Sequence, residues 1–354
     1  MKIKIGKNLI SKNHKTYFVA DIAANHDGSL SRAKKLIRLC ANSGANAAKF
    51  QHFKAETIVS DYGFKKIGKI THQKKWKKSV FQVYKDASIN NSWTRKLRQE
   101  CKKNKIDFMT APYDMDYVNS VYKYMDAYKI GSGDITWIDI IGKIAKKQKP
   151  VLIATGASSI KDVKRAVKEI KKNNKKIVLM QCNTNYTASN KNNKFLNLNV
   201  LKLYKKIFKD TVILGLSDHT FGHNSVLGAV AMGARVIEKH FTDDNNRKGP
   251  DHKFSMNPKT WRRMVEETRV LENSLGDGYK KIEENENQSA IVQRRAIRAK
   301  KKLLKGQKIK PHMLSYLRPC PKTALSPYEK YKILNKVLKK NIAKGDVVTW
   351  EKIK

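Results

Sequence analysis

At 354 residues the chain can bury one large core and a smaller second one, which excludes a lone small domain. Lys and Arg number 75 against 30 Asp and Glu, a formal charge of +45, so an anionic partner, nucleic acid included, is a class to be weighed. No segment reaches the roughly 18 apolar residues of a membrane span and the N-terminal residues lack the apolar stretch of a signal peptide, so the chain is expected in the cytoplasm.

From the N-terminus onward, short β-branched or apolar runs alternate with longer segments of helical period. The runs are Tyr17 to Ala23, Asn46 to Gln51, Asp107 to Ala111, Ala127 to Ile130, Val151 to Thr155, Ile177 to Cys182, Val212 to Leu216 and Arg235 to His240. Between them fall helical patterns such as SRAKKLIRLCANSG, TRKLRQECKKN and NSVLGAVAMG, two of them ending in a glycine suited to a C-cap. Eight βα repeats predict a closed (β/α)8 TIM barrel of the α/β class, because open doubly wound sheets usually stop near about six strands. The long connection from Phe53 to Asn91 breaks the rhythm and is expected to form a lid or a partner contact.

The barrel pattern closes with the helix MNPKTWRRMVEETRVLENSLG, and a polar, glutamate-rich stretch follows. The expected organisation is a catalytic barrel over 1–280, a linker over 281–293 and a small mixed domain over 294–354. Cys40, Cys101, Cys182 and Cys320 have neither metal-ligand nor disulfide-framework spacing and are expected as free thiols. The lysines are scattered over helical segments such as Ile160 to Lys176 and read as solvated helix faces. The densest basic stretch, Arg294 to Lys310, is the feature on which a nucleic-acid reading would rest.

In a barrel of this type chemistry gathers at the C-terminal ends of the strands. Those ends carry Asp21; Lys49 and Gln51; Thr110; Lys129, Ser132 and Asp134; Thr155; Asn183, Thr184 and Tyr186; Ser217, Asp218 and His219; and Glu238 and His240. One lysine inside an apolar strand is as readily a buried ion-pair partner as a ligand. Polar groups at all eight ends are another matter, since an apolar interior would not tolerate them without shared partners, and one common site explains them together. Two lysines with hydroxyls and glycine-flanked amides suit a phosphate or carboxylate. His219 and His240 end successive strands, which neighbour each other at about 4.8 Å in a closed barrel, so both imidazoles are expected to reach one divalent ion. With only two protein ligands, water and substrate oxygens would complete the shell, which favours a Lewis-acid role. His26 precedes a helix start where Asp27 or Ser29 can cap, Asp251 lies past the last strand, and His14, His72 and His312 read as surface residues.

In this order VADIAANHDGS, AAKFQ, KIGSGD, ATG, GLSDHT, EKHFT and GPDHKFSMNP closely resemble the N-acetylneuraminate (sialic acid) synthase family, over nearly the whole chain. The tail, with LRPCP and IAKGDVV, resembles that family's C-terminal antifreeze-protein-like (SAF) domain. The resemblance implies condensation of phosphoenolpyruvate with the open-chain aldehyde of an N-acylated hexosamine, typically N-acetylmannosamine, to a nine-carbon 2-keto acid and phosphate. It implies that Lys49, Thr110, Lys129, Ser132, Thr155 and Ser217 hold phosphoenolpyruvate, and that His219 and His240 hold a manganese-like ion, with magnesium or cobalt as alternatives. Gln51, Asp134, Tyr186 and Asp251 would contact the sugar, with Asn183 and Thr184 in the same substrate-binding set, and Asp21, Lys49, Lys129 and Asp134 form the catalytic group. The family is a homodimer in which the small domain of one subunit covers its partner's site and supplies an arginine, matching Arg318 here.

Family members commonly have Glu where this chain has Asp21 and Asp134, and the sixth-strand motif reads CNTNYT in place of the commoner Cys-Thr with Tyr-Pro. A carboxylate one methylene shorter retracts its oxygens by about 1 Å, enough to change the acceptor. Legionaminate or pseudaminate synthesis, or a phosphorylated acceptor sugar, are therefore weighed beside sialic acid. An anion or nucleic-acid binding protein without turnover is the reading from a different class.

Overall fold

The computed structural model describes residues 1–70, 73–74 and 76–354, so His72 lies outside the described residues. A short antiparallel hairpin, β1 (Ile3–Ile5) and β2 (Asn8–Ile10), opens the chain and was absent from the expected elements. The barrel strands follow as β3 (Tyr17–Asp21), β4 (Ala47–His52), β5 (Asp107–Pro112), β6 (Ala127–Ile130), β7 (Val151–Ala154), β8 (Ile177–Cys182), β9 (Ile213–Asp218) and β10 (Val236–His240). Each is parallel to the next, and β10 pairs with β3 to close the ring, Val236 opposite Tyr17 and His240 opposite Asp21. All eight expected runs are strands of one TIM barrel, with ends displaced by at most two residues.

Around the ring lie α1 (Leu30–Asn42), α2 (Ala55–Ile58), α3 (Asp61–Ile67), α4 (Val80–Ala87), α5 (Trp93–Lys103), α6 (Met115–Ser120), α7 (Ile138–Ala145), α8 (Ile160–Asn173), α9 (Val200–Phe208), α10 (Asn224–Ala231) and α11 (Pro258–Ser274). Local chemistry explains the clearest of them. In α8 a capping box joins Ser159 and Asp162, and Val163, Ala166, Val167 and Ile170 recur on the buried face. In α11 Asn257 and Thr260 cap each other and Pro258 starts the first turn. The connection from Phe53 to Asn91, expected as a lid or a partner contact, carries α2, α3 and α4. Among the described residues no helix is long and apolar enough to cross a membrane.

The period of two along each strand divides the side chains into two populations. Phe18, Phe50, Phe108, Tyr128 and Ile153 face the helices and join the larger core. Val19, Ala47, Met109, Ala127, Leu152, Val178, Met180, Ile213 and Val236 form a second cluster with Ile3, Ile5 and Ile10 of the hairpin. The hairpin therefore plugs the N-terminal mouth of the lumen, and the polar groups collect at the opposite end. It is pinned by Asp107, which accepts from Tyr17 Oη at 2.7 Å and Asn8 Nδ2 at 2.8 Å. Gly6, at φ 52°, lies so close that a Cβ there would stand 1.8 Å from Asp107 Oδ1.

The chain divides into two compact units, Met1–Gly276 and Asp277–Lys354. The second has its own core of Ile297, Leu303, Ile309, Leu338, Ile342 and Val348 beside β11 (Ala296–Ala299) and β12 (Leu314–Leu317), with α12 (Asn287–Gln293) and α13 (Lys330–Ile333). The segment read as a linker is thus partly helical. Within the basic stretch Arg294 to Lys310, Ala296, Ile297, Ala299, Leu303 and Ile309 are buried and Arg298 donates to the Gly345 and Pro319 carbonyls. Its charges are the outward residues of a folded strand and turn.

Burial pushes the Asp107 carboxyl up to about 6 against the Tyr17 hydrogen bond. Folding favours its protonated form, so the stability it contributes is complete below the ordinary carboxylate range and is lost as pH rises through about 6. Asp107→Asn keeps an acceptor for Tyr17 and Asn8 without the charge. It should raise Tm by about 2–4 °C at pH 8 and leave it unchanged at pH 4, read from calorimetric scans across that range.

Candidate active site

At the C-terminal end of the lumen two lysines and two carboxylates interlock. Lys49 Nζ lies 2.6 Å from Asp21 Oδ2 and 3.2 Å from Glu238 Oε1. Lys129 Nζ lies 3.3 Å from the same Glu238 oxygen, and Ser217 Oγ donates to it at 3.1 Å. Asp21, Lys49, Lys129 and Glu238 are all at most 3% exposed. Burial acts to raise the Glu238 carboxyl, yet Lys129 and Lys49 outweigh it and hold it down at about 2. Burial acts to lower Lys49, but Asp21 and Glu238 raise it; for Lys129 burial prevails and lowers it although Glu238 opposes. Burial likewise raises Asp21, against the pull of Lys49. Glu238 stood among the polar strand ends without a role, and its place at the centre of this group is what the sequence reading missed.

Above the lysines stand His219 and His240, ring centres 5.3 Å apart. His219 Nδ1 donates to the Asn183 carbonyl at 3.0 Å, which leaves the Nε2 lone pair free. Burial, then His219 and the lysines, lowers His240 well below the ordinary imidazole range, so it is neutral, and its buried Nδ1 has no hydrogen-bond partner. Burial acts to lower His219 but Cys182 outweighs it and raises it, so the feature that fits a divalent ion is the orphaned nitrogen of neutral His240 beside a second imidazole. Among the described residues no group of three His, Cys, Asp or Glu side chains converges on one point, so any remaining ligands must be water or substrate oxygens.

Beside them Cys182 Sγ lies 3.9 Å from His219 Nδ1, and Ser132 Oγ accepts the Gly156 amide at 2.9 Å. A Cβ on Gly156 would stand 1.9 Å from Thr184 Oγ1 and 3.0 Å from Ser132 Oγ, so the hydroxyls of Ser132 and Thr184 meet over a bare backbone. Such a cradle suits an oxyanion.

Two expected substrate ligands point elsewhere. Thr110 shares the outward phase of Phe50 and Tyr128, and its hydroxyl meets His52 Nδ1 at 2.8 Å, with His52 Nε2 bound to Thr94 of α5. Thr155 follows the outward Ile153; its hydroxyl donates to the Met180 carbonyl and accepts from Tyr204 of α9. The lumen positions are taken by Ala111 and Ala154, one residue away in each case. The Thr110 and Thr155 hydroxyls thus link the barrel to its helices and do not point into the lumen.

The acceptor-side residues line the opening. Gln51, Tyr84, Tyr113, Tyr186, His240 and Asp251 surround a cavity of about 170 Å³ that leads to a wider one of about 890 Å³. Tyr186 packs edge-on to His219 at 4.4 Å. Burial raises Asp134 and Asp251 each to about 6. Asn183 turns its side-chain amide to the Phe195 carbonyl and contributes its own carbonyl to His219. The loop carrying Asp251 is tied down by His252, whose Nε2 lies 2.9 Å from Asp27 Oδ1 and whose Nδ1 lies 2.7 Å from Thr242 Oγ1. Asp27 is thus a loop clamp, and Ser29 is the cap of α1. His26 is buried against Trp93 and outside the lumen. His14 and His312 are exposed, and Arg318 is an exposed residue just past β12 of the second unit.

The strand ends of this TIM barrel thus bury paired lysines beneath paired histidines, beside a cradle of hydroxyls and an adjoining cavity. Residues 36–280 match the model of the NeuB family and residues 294–354 that of the SAF domain. The chain is 34% identical, over 94% of its length and 99% of the relative, to N,N'-diacetyllegionaminic acid synthase of Campylobacter jejuni. It is 33% identical to an uncharacterized protein of Methanocaldococcus jannaschii, over 99% of this chain and 98% of that one. The solved N-acetylneuraminic acid synthetase of Leptospira borgpetersenii, in complex with citrate, has 27% identity and a TM-score of 0.71, with 82% of this chain and 95% of that one covered. The chain belongs to the NeuB family, and its C-terminal unit is a SAF domain.

Gly156→Ala should push the Thr184 and Ser132 hydroxyls off the bare backbone. Affinity for inorganic phosphate, measured calorimetrically, should fall about tenfold, equivalent to about 1.4 kcal/mol, with little change in Tm.

Proposed function

We propose that the protein condenses phosphoenolpyruvate with the open-chain aldehyde of an N-acylated hexosamine to give a nine-carbon 2-keto acid and phosphate. The carrying observation is the pair of buried lysines converging beneath two histidines at the mouth of a cavity large enough for a sugar. Lys49, Lys129 and Ser132 would hold the phosphate and carboxylate, with the Gly156 amide orienting the Ser132 hydroxyl and Ser217 bracing Glu238 behind them. Carbon three of phosphoenolpyruvate attacks the aldehyde carbon and the carbonyl oxygen takes a proton. Water adds at carbon two, and the tetrahedral intermediate expels phosphate by cleavage of the carbon–oxygen bond as the keto group forms. The fixed ammoniums are in place for the charge on that leaving group before it develops. His219 and His240 would hold a divalent ion, manganese first, whose chemistry is polarisation of the aldehyde oxygen.

Gln51, Asp134, Tyr186 and Asp251 are assigned to the acceptor. The relative named N,N'-diacetyllegionaminic acid synthase supports a 2,4-diacetamido hexose as the first acceptor to test, beside N-acetylmannosamine. By family likeness the working unit is a cytoplasmic homodimer, with Arg318 reaching the partner's site.

Phosphate release from phosphoenolpyruvate with manganese should depend on one of these unphosphorylated sugars and yield a nine-carbon keto acid by mass. Release only with a hexosamine 6-phosphate would move the assignment to a phosphorylated acceptor, and no release with any sugar would remove it. His219→Ala should lose manganese binding by at least tenfold, seen as free-ion signal in electron paramagnetic resonance, with an unchanged circular dichroism spectrum; full retention of the ion would sink the histidine assignment.

A further inference from the structure

One oxygen of Glu238 receives three groups. Oε1 lies 3.2 Å from Lys49 Nζ, 3.3 Å from Lys129 Nζ and 3.1 Å from Ser217 Oγ, on three different strands. The lysines are not equivalent. Lys49 has a second carboxylate, Asp21, at 2.6 Å. Lys129 is 2% exposed, its one ion pair among the described residues is with Glu238, and its only other bond is a long one to the Ile130 carbonyl at 3.4 Å.

We propose that Glu238 is the positioning residue of the substrate-binding lysines: it supplies the counter-charge that keeps Lys129 an ammonium and, with Ser217, sets where Lys129 and Lys49 point. The argument is a count of charges and hydrogens. A buried ammonium with no counter-ion costs several kcal/mol and escapes by losing its proton or turning away. Each lysine has three N–H groups; Lys49 spends two on carboxylates and Lys129 one on Glu238 and one on a carbonyl, so each keeps one for a ligand. The single Ser217 hydrogen goes to Glu238, which makes Ser217 a brace for the carboxylate. Around Lys129 stand Glu238 from β10, Lys49 from β4, Asp21 from β3, Cys182 from β8 and Asp134 just past β6, and burial already works against its charge.

The inference rests on the proposed function only for the identity of the anion. Inorganic phosphate and phosphoenolpyruvate are titrated calorimetrically into the full chain and its Glu238→Gln variant from pH 6 to 9. At pH 8 both affinities should fall at least tenfold in the variant, the deficit should shrink as pH falls and Lys129 regains its proton, and the acceptor KM should not move. Affinities within twofold of the parent, or a deficit of equal size at every pH, would overturn the proposal. A parent protein that binds neither anion would instead remove the proposed function, and thermal stability then decides alone. Glu238→Gln should lower Tm at pH 7, and adding Lys129→Gln, which deletes the stranded cation, should recover at least half the loss; a double variant no more stable than the single one refutes the pairing.

Discussion

Two ammoniums and two carboxylates, with almost no contact with water, balance to zero net charge at the upper end of the lumen. None of the four could be buried alone, because the desolvation of an isolated ion exceeds what a barrel interior returns. The strands bearing them must therefore stand in register to within about an ångström, and the closed ring does this: Asp21 lies opposite Lys49 across β3 and β4, and Glu238 opposite Val19 and Ser217 on either side of β10. The hairpin that plugs the other mouth and the apolar layers between hold this register from below. Chemistry at the top depends on a balance of charge that only the complete barrel can hold together.

That dependence explains what could be read in the sequence and what could not. Eight alternating runs are a long-range pattern with a short-range signature, so the ring and the lumen places of Asp21, Lys49, Lys129, Ser217, His219 and His240 follow from strand ends alone. Thr110 and Thr155 show the limit of reasoning by strand end without strand phase. Counting in twos from Lys49 and its neighbour Met109 would have put Thr110 with Phe50 on the helix side, and counting from Leu152 would have done the same for Thr155. Glu238 was visible at a strand end, but a carboxylate between two lysines has no one-dimensional signal: its partners are 189 residues away for Lys49 and on a third strand for Lys129. The hairpin was missed for a simpler reason, since two strands of three residues lie below the length at which a period of two can be counted.

The two halves of the site are built on different scaffolds. Lys49, Lys129, Ser217 and Glu238 project from strands whose neighbours on both sides are hydrogen-bonded, and each is locked by the others. Asp251 sits on a loop, and its position depends on polar side chains that bridge segments far apart in sequence, Asp27 to His252 and Asn25 to Ser255. Tyr186 likewise lies beyond the end of β8, and Asp134 in the turn after β6. A change in a loop moves one contact, whereas a change in the quartet strands a charge.

This asymmetry gives the departures from the family pattern a physical reading. Asp134, in the turn after β6, is outside the ion pairs of the quartet, so a carboxylate one methylene shorter there leaves those pairs unchanged. Asp21 is the harder case, because it belongs to the quartet. There Lys49 Nζ approaches the shorter acid to 2.6 Å, and His240 Nε2 and Gln51 Nε2 lie at 3.4 and 3.5 Å from it. A long lysine reaches the shorter acid and keeps the charge balance. A change on the loops leaves the lysine pairs intact, whereas a change at Asp21 must keep its pair with Lys49, so the two sides of the cavity are under different constraints.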